Sequence, residues 1–338
     1  MKNFCFLLGF VLLSCLSTAA LGAGSREGEV RFDVDLSAQN AEEVVNLWLP
    51  YPAEDAAQRI HDVRVEGDFA QSSVTTDAAG GVRMLHARWD RGAQSRKLSF
   101  SFKVEREEVL HRELPQVEAA WNPADFSAWL GATSLGPVDA EVKAVAEKIT
   151  AGKTRVQDKA KAVYDWTVEN MYRDPDTKGC GIGDVNALLA IPGGKCADIH
   201  SVYVALARAA GVPAREVFGI RQGKKQTQDI TGWQHCWAEF YLPGYGWVSV
   251  DPGDVRKAML TENLKLEDAK TAEYRAYFWG GIDAYRVKFN TGRDLTLAPV
   301  QQGGAVNYLM YPFAQAGGET LDWLEPSTFK YRIDYREI

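Results

Sequence analysis

The feature that most limits the possible folds of this chain is where its apolar residues alternate, as in strands, and where they follow helical spacing. Between residues 28 and 112, short stretches alternate apolar with polar side chains or are rich in β-branched and aromatic residues, and turn-forming sequences separate them. These stretches are VRFDVDL, VVNLWLPYP, HDVRVEG, RMLHARW and RKLSFSFKVERE. The pattern predicts an antiparallel β-sandwich as the first folded domain.

From residue 120 to residue 338 the pattern changes to helices followed by strands. Apolar residues at helical spacing predict a helix after Pro137, a longer one around residues 160–171, and a third from Cys196 to about Ala210. The later stretches AREVFGIR, HCWAEFYL and WVSVD predict successive antiparallel strands. Helices before strands indicate an α+β domain rather than a βαβ repeat, and we expect the tail beyond Asp254 to pack on this domain.

Residues 1–22 have the pattern of a cleaved export signal, with one lysine, an apolar run and then small residues. The apolar run is too short for a permanent anchor, and no later segment is long and apolar enough for a membrane helix. We therefore expect a periplasmic or secreted protein. The sequence LLSC, which ends at Cys15, leaves open a lipoprotein signal in which a lipid on Cys15 anchors the chain.

Charge and cysteine content bear on partners and on redox state. The formal net charge is −7 and the sequence contains no basic cluster, so nucleic-acid binding is not expected. Cys5 and Cys15 belong to the export signal, which leaves Cys180, Cys196 and Cys236. In an oxidising compartment this odd number suggests one disulfide and one free thiol.

Cys196 has the surroundings of a reactive thiol. It follows two glycines and opens the third predicted helix, where free backbone N–H groups and the helix dipole stabilise a thiolate. The glycines would allow a tight turn and the close approach of a substrate backbone. His235 opens one predicted strand and Asp251 ends the next, so a hairpin would place them side by side. A thiol, an imidazole and a carboxylate in this arrangement form a catalytic triad.

The blocks GGKCADIHSVYVALARAAGVPAREVFGIR and WQHCWAEFYLPGYGWVSVDP, in this order, resemble the transglutaminase-like superfamily of papain-like Cys-His-Asp proteins. The resemblance covers about residues 156–254, which would be the core of the catalytic domain. It implies that Cys196 is the nucleophile, His235 the general base and acid, and Asp251 the carboxylate that orients His235. It also implies that a β-sandwich in front of the catalytic domain is unsurprising.

The resemblance implies thiol acyl chemistry without fixing the acyl acceptor. The calcium-loop segments of the animal cross-linking enzymes are not recognisable, which favours hydrolysis over cross-linking. We therefore expect an exported cysteine hydrolase or acyltransferase that acts on peptide or isopeptide bonds through a thioester, without a metal or other cofactor. A peptide or protein, such as cell-wall peptide, would be its substrate. The alternative is a non-catalytic binding or scaffold protein that retains the fold.

The remaining cysteines and a second histidine are expected to be structural. Alternation along its strand would point Cys236 away from His235, and a Cys180–Cys236 disulfide would leave Cys196 as the free thiol. His200 follows Cys196 by one helical turn, and we expect it to support the structure rather than react.

The oxyanion that forms when a thiolate attacks a carbonyl needs hydrogen-bond donors. The backbone N–H of Cys196 is one candidate because it lies at the helix start. For the second donor the sequence offers Gln234, Tyr172 or a tryptophan, and it does not choose between them.

Overall fold

The computed structural model describes residues 24–79, 81–322, 324 and 330–338. The predicted export signal at residues 1–22 and the candidate lipid site at Cys15 lie outside this part of the chain. Within it no helix is both long and apolar enough to cross a membrane. The described chain has the predicted α+β composition, with mostly antiparallel sheets.

The helices begin after a short 3-10 turn at Pro123–Phe126 and are interleaved with strands along the chain. They are α1 (Ser127–Leu130), α2 (Ala140–Ile149), α3 (Val156–Asn170), α4 (Val185–Ala190), α5 (Cys196–Ala209), α6 (Pro252–Glu262) and α7 (Ala269–Phe278).

The strands form three larger sheets and two short pairs. They are β1 (Ser25–Asp35), β2 (Val45–Pro50), β3 (Gln58–Gly67), β4 (Gln71–Thr76), β5 (Arg83–Trp89), β6 (Lys97–Glu107), β7 (Val109–Leu110), β8 (Tyr172–Arg173), β9 (Gly193–Gly194), β10 (Ala214–Arg221), β11 (Thr227–Asp229), β12 (Gln234–Leu242), β13 (Gly246–Val250), β14 (Gly281–Ile282), β15 (Arg286–Asn290), β16 (Phe313–Ala316), β17 (Glu319–Thr320) and β18 (Tyr331–Glu337).

Two five-stranded sheets form the sandwich, in the orders β11-β18-β1-β6-β3 and β17-β16-β2-β5-β4. Their inward-facing side chains make one apolar core, in which the rings of Phe32 and Phe100 lie 6.0 Å apart and Leu47 and Trp89 come from the other sheet. Alternate burial along β1 shows that the predicted period-two pattern forms this inner face. The sequence-predicted strands of this region are present.

The end of the chain returns to the sandwich, which differs from the expected packing of the whole tail on the α+β domain. β18 pairs with β1 from Gly28↔Glu337 to Val34↔Tyr331, and β16 pairs with β2. The reason lies in the pattern of β18, where Tyr331, Ile333 and Tyr335 alternate with polar residues and are buried in the sandwich core. Both ends of the described chain therefore stabilise the same sandwich.

The α+β domain is built around α5, which packs on the four-stranded sheet β13-β12-β10-β15. The predicted stripe of Ile199, Val202, Tyr203 and Leu206 is fully buried in a second apolar core. Residues Cys196 to Arg208 of this helix are all buried. Because α5 is enclosed along its length, its first residue is held rigidly against the end of the sheet.

The pairing of β18 predicts how a core substitution at the end of the chain affects stability. Ile333→Ala should lower the free energy of unfolding by about 2–5 kcal/mol, because it removes fully buried methyl groups and leaves a cavity. Chemical denaturation measures this loss. Arg332→Ala, on the exposed face of the same strand, is the control and should leave stability close to that of the wild type. Equal, small effects of both substitutions would contradict the assignment of β18 to the core.

Candidate active site

Three elements bring Cys196, His235 and Asp251 to one end of the four-stranded sheet. Cys196 is the first residue of α5, His235 is the second residue of β12, and Asp251 follows β13 and caps the N-terminus of α6. β12 and β13 form the predicted antiparallel hairpin, with Ala238 opposite Val250. The start of one strand and the end of the next therefore lie at the same edge.

The three side chains form a continuous chain of polar contacts. Nε2 of His235 lies 2.8 Å from Oδ2 of Asp251, and the Cys196 thiol hydrogen-bonds the same imidazole. Because Nε2 faces the carboxylate, Nδ1 is the ring nitrogen left to face the sulfur. All three residues are buried, with Cys196 only 1% exposed. The structure thus brings together the residues that the sequence singled out.

Asp251 accepts more contacts than a triad alone would require. Its Oδ1 lies 3.0 Å from Nε2 of His200 and accepts the backbone N–H of Asp254 at 2.7 Å, while Arg286 donates to Oδ2. Burial alone would raise the pKa of the Asp251 carboxyl. The charges of Arg286, His235 and His200 instead hold that pKa well below its ordinary value. Asp251 therefore remains a carboxylate in the protein interior.

Arg286 is a site residue that no sequence motif indicated. It lies on β15, is 0% exposed, and donates to Asp251 and, at 2.7 Å, to Oδ2 of Asp254. Its Nη1 is 2.9 Å from Nε2 of His235, so both donors face the same carboxylate oxygen. The one available signal was an arginine in the apolar stretch YRVKFN, where an unpaired charge would be costly.

His200 has the supporting position that the sequence suggested, although its contacts reach the site itself. Its Nδ1 lies 2.6 Å from the carbonyl oxygen of Cys196 and its Nε2 faces Asp251. The imidazole thus connects the first turn of α5 to the cap of α6. It is fully buried, so its place is behind the triad and not on an open surface.

The three described cysteines lie together and all three are free thiols, so the Cys180–Cys236 disulfide that the sequence left open is not formed. The thiols of Cys180 and Cys236 both hydrogen-bond Cys196, and Sγ of Cys236 lies 3.5 Å from Nδ1 of His200. The first residues of β12 lie at the edge of the sheet beside the start of α5. Both Cys236 and its neighbour His235 therefore contact Cys196, although alternation would separate them.

These contacts set the ionisation of the cluster. Hydrogen bonds from Cys180 and Cys236, followed by the hydrogen bond and charge of His235, hold the pKa of the Cys196 thiol well below its ordinary value. The hydrogen bond to Cys196 and burial raise the pKa of Cys180, and burial raises that of Cys236. Of the three thiols, Cys196 is therefore the one whose pKa is lowered.

The glycines before Cys196 make room for protein side chains. A side chain at Gly194 would collide with Asp198, and one at Gly193 would collide with the ring of Tyr172. Asp198 accepts the N–H groups of Gly183 at 2.9 Å and Lys195 at 3.0 Å. This carboxylate, which the sequence analysis did not select, holds the glycine-rich loop against the start of α5.

The starts of α5 and β12 each carry a donor that has no hydrogen-bond acceptor among the described residues. These donors are the backbone N–H of Cys196 and the buried Nε2 of Gln234. Gln234 lies beside His235 and lines the cleft next to it, whereas the ring of Tyr172 packs over Gly193. The buried Nε1 of Trp237, two residues after His235 on β12, also lacks an acceptor among the described residues, so the sequence candidates with a free donor are Gln234 and this tryptophan.

One group of side chains has the spacing of cation ligands. Ligand atoms of His235, Asp251 and Asp254 lie within 4.8 Å of one another. Arg286 already contacts both carboxylates, and Arg221 pairs with Asp254 at 2.5 Å. Two guanidinium groups thus supply the positive charge that these carboxylates need, and a divalent cation would have to compete with them.

Comparisons with known proteins identify the family that this chain resembles. A family model described as the transglutaminase-like superfamily matches residues 143–252. An uncharacterised protein of Haemophilus influenzae is 36% identical over 312 residues, covering 85% of this chain and 84% of its own. A protein-glutamine gamma-glutamyltransferase of Pseudomonas aeruginosa is 32% identical over 110 residues, covering 31% of this chain but 16% of its own.

Among solved structures, a candidate cysteine protease from Cytophaga hutchinsonii has the same fold. It aligns with a TM-score of 0.54 and 17% identity, covering 93% of this chain and 99% of its own. The similarity therefore extends beyond residues 143–252 and includes the β-rich region before them.

The buried charges around Asp251 predict a large effect of removing Arg286. Arg286→Gln should destabilise the fold by about 3–5 kcal/mol at neutral pH, because it leaves Asp251 and Asp254 buried without their shared cation. The lowered pKa of Asp251 contributes stability above about pH 4, the ordinary carboxyl range, and this contribution is lost as the pH falls. The difference in the free energy of unfolding between Arg286→Gln and the wild type should therefore become smaller as the pH falls.

Denaturant titrations at several pH values measure both effects. Arg31→Gln is the matched control, since it removes an arginine whose partner, Asp33, is on the exposed surface. A loss of stability no larger for Arg286→Gln than for Arg31→Gln would show that the buried charges do not depend on Arg286.

Proposed function

Since the chain belongs to the transglutaminase-like superfamily, we propose that it is a cysteine-dependent hydrolase that cleaves peptide or isopeptide amide bonds through a thioester intermediate. The observation that carries this proposal is the set of contacts from Cys196 to His235 to Asp251. A thiol with a lowered pKa, an adjacent imidazole and an orienting carboxylate are the groups that thiol acyl chemistry requires.

In the proposed reaction the Cys196 thiolate attacks the amide carbonyl carbon. The tetrahedral intermediate collapses, the C–N bond breaks, and His235 gives its Nδ1 proton to the leaving amine. The acyl group remains on Cys196 as a thioester. His235 then takes a proton from water, hydroxide adds to the thioester, and the carboxylic acid leaves as the thiolate re-forms.

Asp251 and the two proposed oxyanion donors have distinct roles in this reaction. The carboxylate stabilises the imidazolium and holds Nδ1 towards the sulfur, because Nε2 is engaged with Oδ2. We assign the oxyanion site to the backbone N–H of Cys196 and to Nε2 of Gln234, which lack acceptors within the described structure. A developing oxyanion would supply the acceptor that both donors lack.

We propose hydrolysis rather than cross-linking because calcium-loop segments are not recognisable in the sequence. The pattern of residues 1–22 supports export, so peptides or proteins of the periplasm or cell envelope are the proposed substrates, with cell-wall peptide among them. The match to the Pseudomonas transferase covers 31% of this chain and 16% of that protein, and its reaction is therefore not assigned to this chain.

Alkylation of Cys196 tests the proposed nucleophile. Iodoacetamide should modify Cys196 at roughly pH 6–7, below the range in which an ordinary cysteine reacts, because its pKa is lowered. Mass spectrometry of the labelled peptides distinguishes it from Cys180 and Cys236, whose raised pKa values should keep them unreactive at that pH. His235→Ala should move the labelling of Cys196 to higher pH.

The same measurement separates an enzyme from a non-catalytic relative of the same fold. Reaction of Cys196 only above about pH 8, or no reaction in the folded protein, would favour the binding or scaffold alternative. Either result would contradict the proposal, because a substrate carbonyl must reach the same sulfur.

Trapping with hydroxylamine tests the thioester and the fate of the acyl group. With tryptic peptides of casein as the probe, hydrolysis should dominate in water, and hydroxylamine should divert the acyl group to a hydroxamate. Mass spectrometry identifies both products, and Cys196→Ala should abolish them. Faster joining of peptides to lysine side chains than release of carboxylic acids would show that cross-linking is the favoured reaction.

A further inference from the structure

A cleft of about 320 Å³ opens beside His235 at the start of β12. Four cationic side chains line it, Arg173, Arg221, Lys224 and Lys257, and none of the described residues in its wall is acidic. We call this site the basic cleft. The chain as a whole has a net charge of −7, so this local excess of positive charge runs against its composition.

Three of the four cations lack a neutralising partner. Arg221 pairs with Asp254 at 2.5 Å, but Arg173, Lys224 and Lys257 form no ion pair with any described residue. In addition, Nη1 of Arg173 is buried without a hydrogen-bond partner. A buried donor without an acceptor is costly, so a ligand that supplies one would be stabilised there.

Among the nearby described carboxylates, Asp254 neutralises one cation of the basic cleft, Arg221, and the others contact cations outside the cleft. An adjoining recess of about 390 Å³ shares Arg221, Lys224 and Lys257 with the cleft. The carboxylates of this recess pair as follows: Asp254 with Arg221 and Arg286, Glu262 with Lys270, and Asp283 with Arg286. The free positive charge therefore faces the space next to His235.

The basic cleft adjoins the candidate active site through His235, which forms part of its wall and whose imidazole the Cys196 thiol hydrogen-bonds. The strands β8 and β9 also connect the two, because Arg173 of β8 pairs with Gly194 of β9, two residues before Cys196. A molecule bound in the basic cleft would thus lie beside the imidazole that contacts the reacting sulfur.

We propose that the basic cleft binds a carboxylate on the amine portion of the peptide substrate, so that the enzyme prefers amide bonds followed by an acidic residue or by a free C-terminus. This inference rests on the proposed function, which makes the substrate an amide. An arginine presents a planar pair of donors that matches a carboxylate, and lysines add charge without geometric demands.

The position of His235 places the carboxylate on the leaving-amine side of the scissile bond. His235 would protonate the departing amine, and it forms part of the wall of the basic cleft, whereas Cys196 does not. The group attached to the amine therefore extends towards Lys257 and Arg173. The acyl portion of the substrate stays on Cys196, and we do not expect a charged group on that side of the scissile bond to affect binding.

Two alkylating reagents of similar size test the charge of the cleft at Cys196 without a known substrate. Iodoacetate carries a carboxylate and iodoacetamide is neutral, so the ratio of their rates reports the local field. Lys257→Gln and Arg173→Gln should each lower the iodoacetate-to-iodoacetamide ratio roughly fivefold. Lys148→Gln, on the exposed surface of α2, is the matched control and should leave the ratio unchanged.

Salt supplies a second measurement that needs no variant to fold. In the wild type the ratio should fall several-fold as the ionic strength rises from about 0.01 M to about 1 M. Normal reaction of Cys196 with iodoacetamide, but with a ratio insensitive to Lys257, Arg173 and salt, would overturn the basic cleft and leave the proposed function standing. Failure of Cys196 to react with iodoacetamide near neutral pH would overturn both.

Peptides distinguish a side-chain carboxylate from a terminal one. From a sequence cleaved in the casein digest, we would compare three forms that differ after the cut bond: Glu with an amidated end, Gln with an amidated end, and Gln with a free end. Either carboxylate should raise kcat/KM by roughly tenfold over the neutral peptide, and Lys257→Glu should remove the preference. Equal cleavage of all three forms would contradict the proposal.

Discussion

The carboxylate of Asp251 is the charge on which the arrangement of the site depends. It is fully buried and contacts His200 on α5, His235 on β12, Arg286 on β15 and the backbone N–H of Asp254 on α6. A buried charge is tolerated only when it is paired and hydrogen-bonded. The requirement to satisfy this carboxylate therefore positions four elements relative to one another, and the same contacts orient the candidate catalytic imidazole.

This dependence explains how the domain can hold the Cys196 thiol and the His235 imidazole together in a buried site. Arg286 offsets the charges of Asp251 and Asp254 from β15, which lies at the edge of the sheet beside β10. His235 can then face Cys196 with its other nitrogen, because its Nε2 has a fixed partner. Fold stability and the geometry of the triad are thus two results of one charge network.

Local patterns in the sequence predicted most of the elements and missed those that depend on distant partners. The inner strands of the sandwich and the helix α5 have clear apolar periods, and they were predicted. β4 was not predicted, since QSSVTT is almost wholly exposed and has no buried face to reveal it. The pairing of β18 with β1 joins opposite ends of the chain, and no local pattern specifies such a partner.

In the site, too, residues in local motifs were predicted and a residue that depends on distant contacts was not. Cys196, His235 and Asp251 were identified because each lies at the end of a recognisable helix or strand, in blocks that resemble a family. Arg286 is far along the chain from these blocks, and its role follows only from the folded contacts.

The basic cleft also had no signal in the sequence. Its cations come from β8, β10, the segment after β10 and α6, and only Arg221 and Lys224 are near one another in the sequence. A search for a continuous basic run could not find it.

The glycine-rich loop before α5 links the packing of the domain to the pKa of Cys196. Burial among apolar side chains would raise the pKa of Cys196, which would suppress its thiolate. The carbonyl of Cys180 accepts the N–H of Ala197 at 2.9 Å, and its thiol donates to Cys196. This placement requires the loop to lie against Asp198, where a side chain at Gly181 would collide with the carboxylate.

Asp198 therefore holds the loop in the position from which the Cys180 thiol can stabilise the Cys196 thiolate. The glycines allow this close packing, and the packed loop supplies the hydrogen bond that offsets burial.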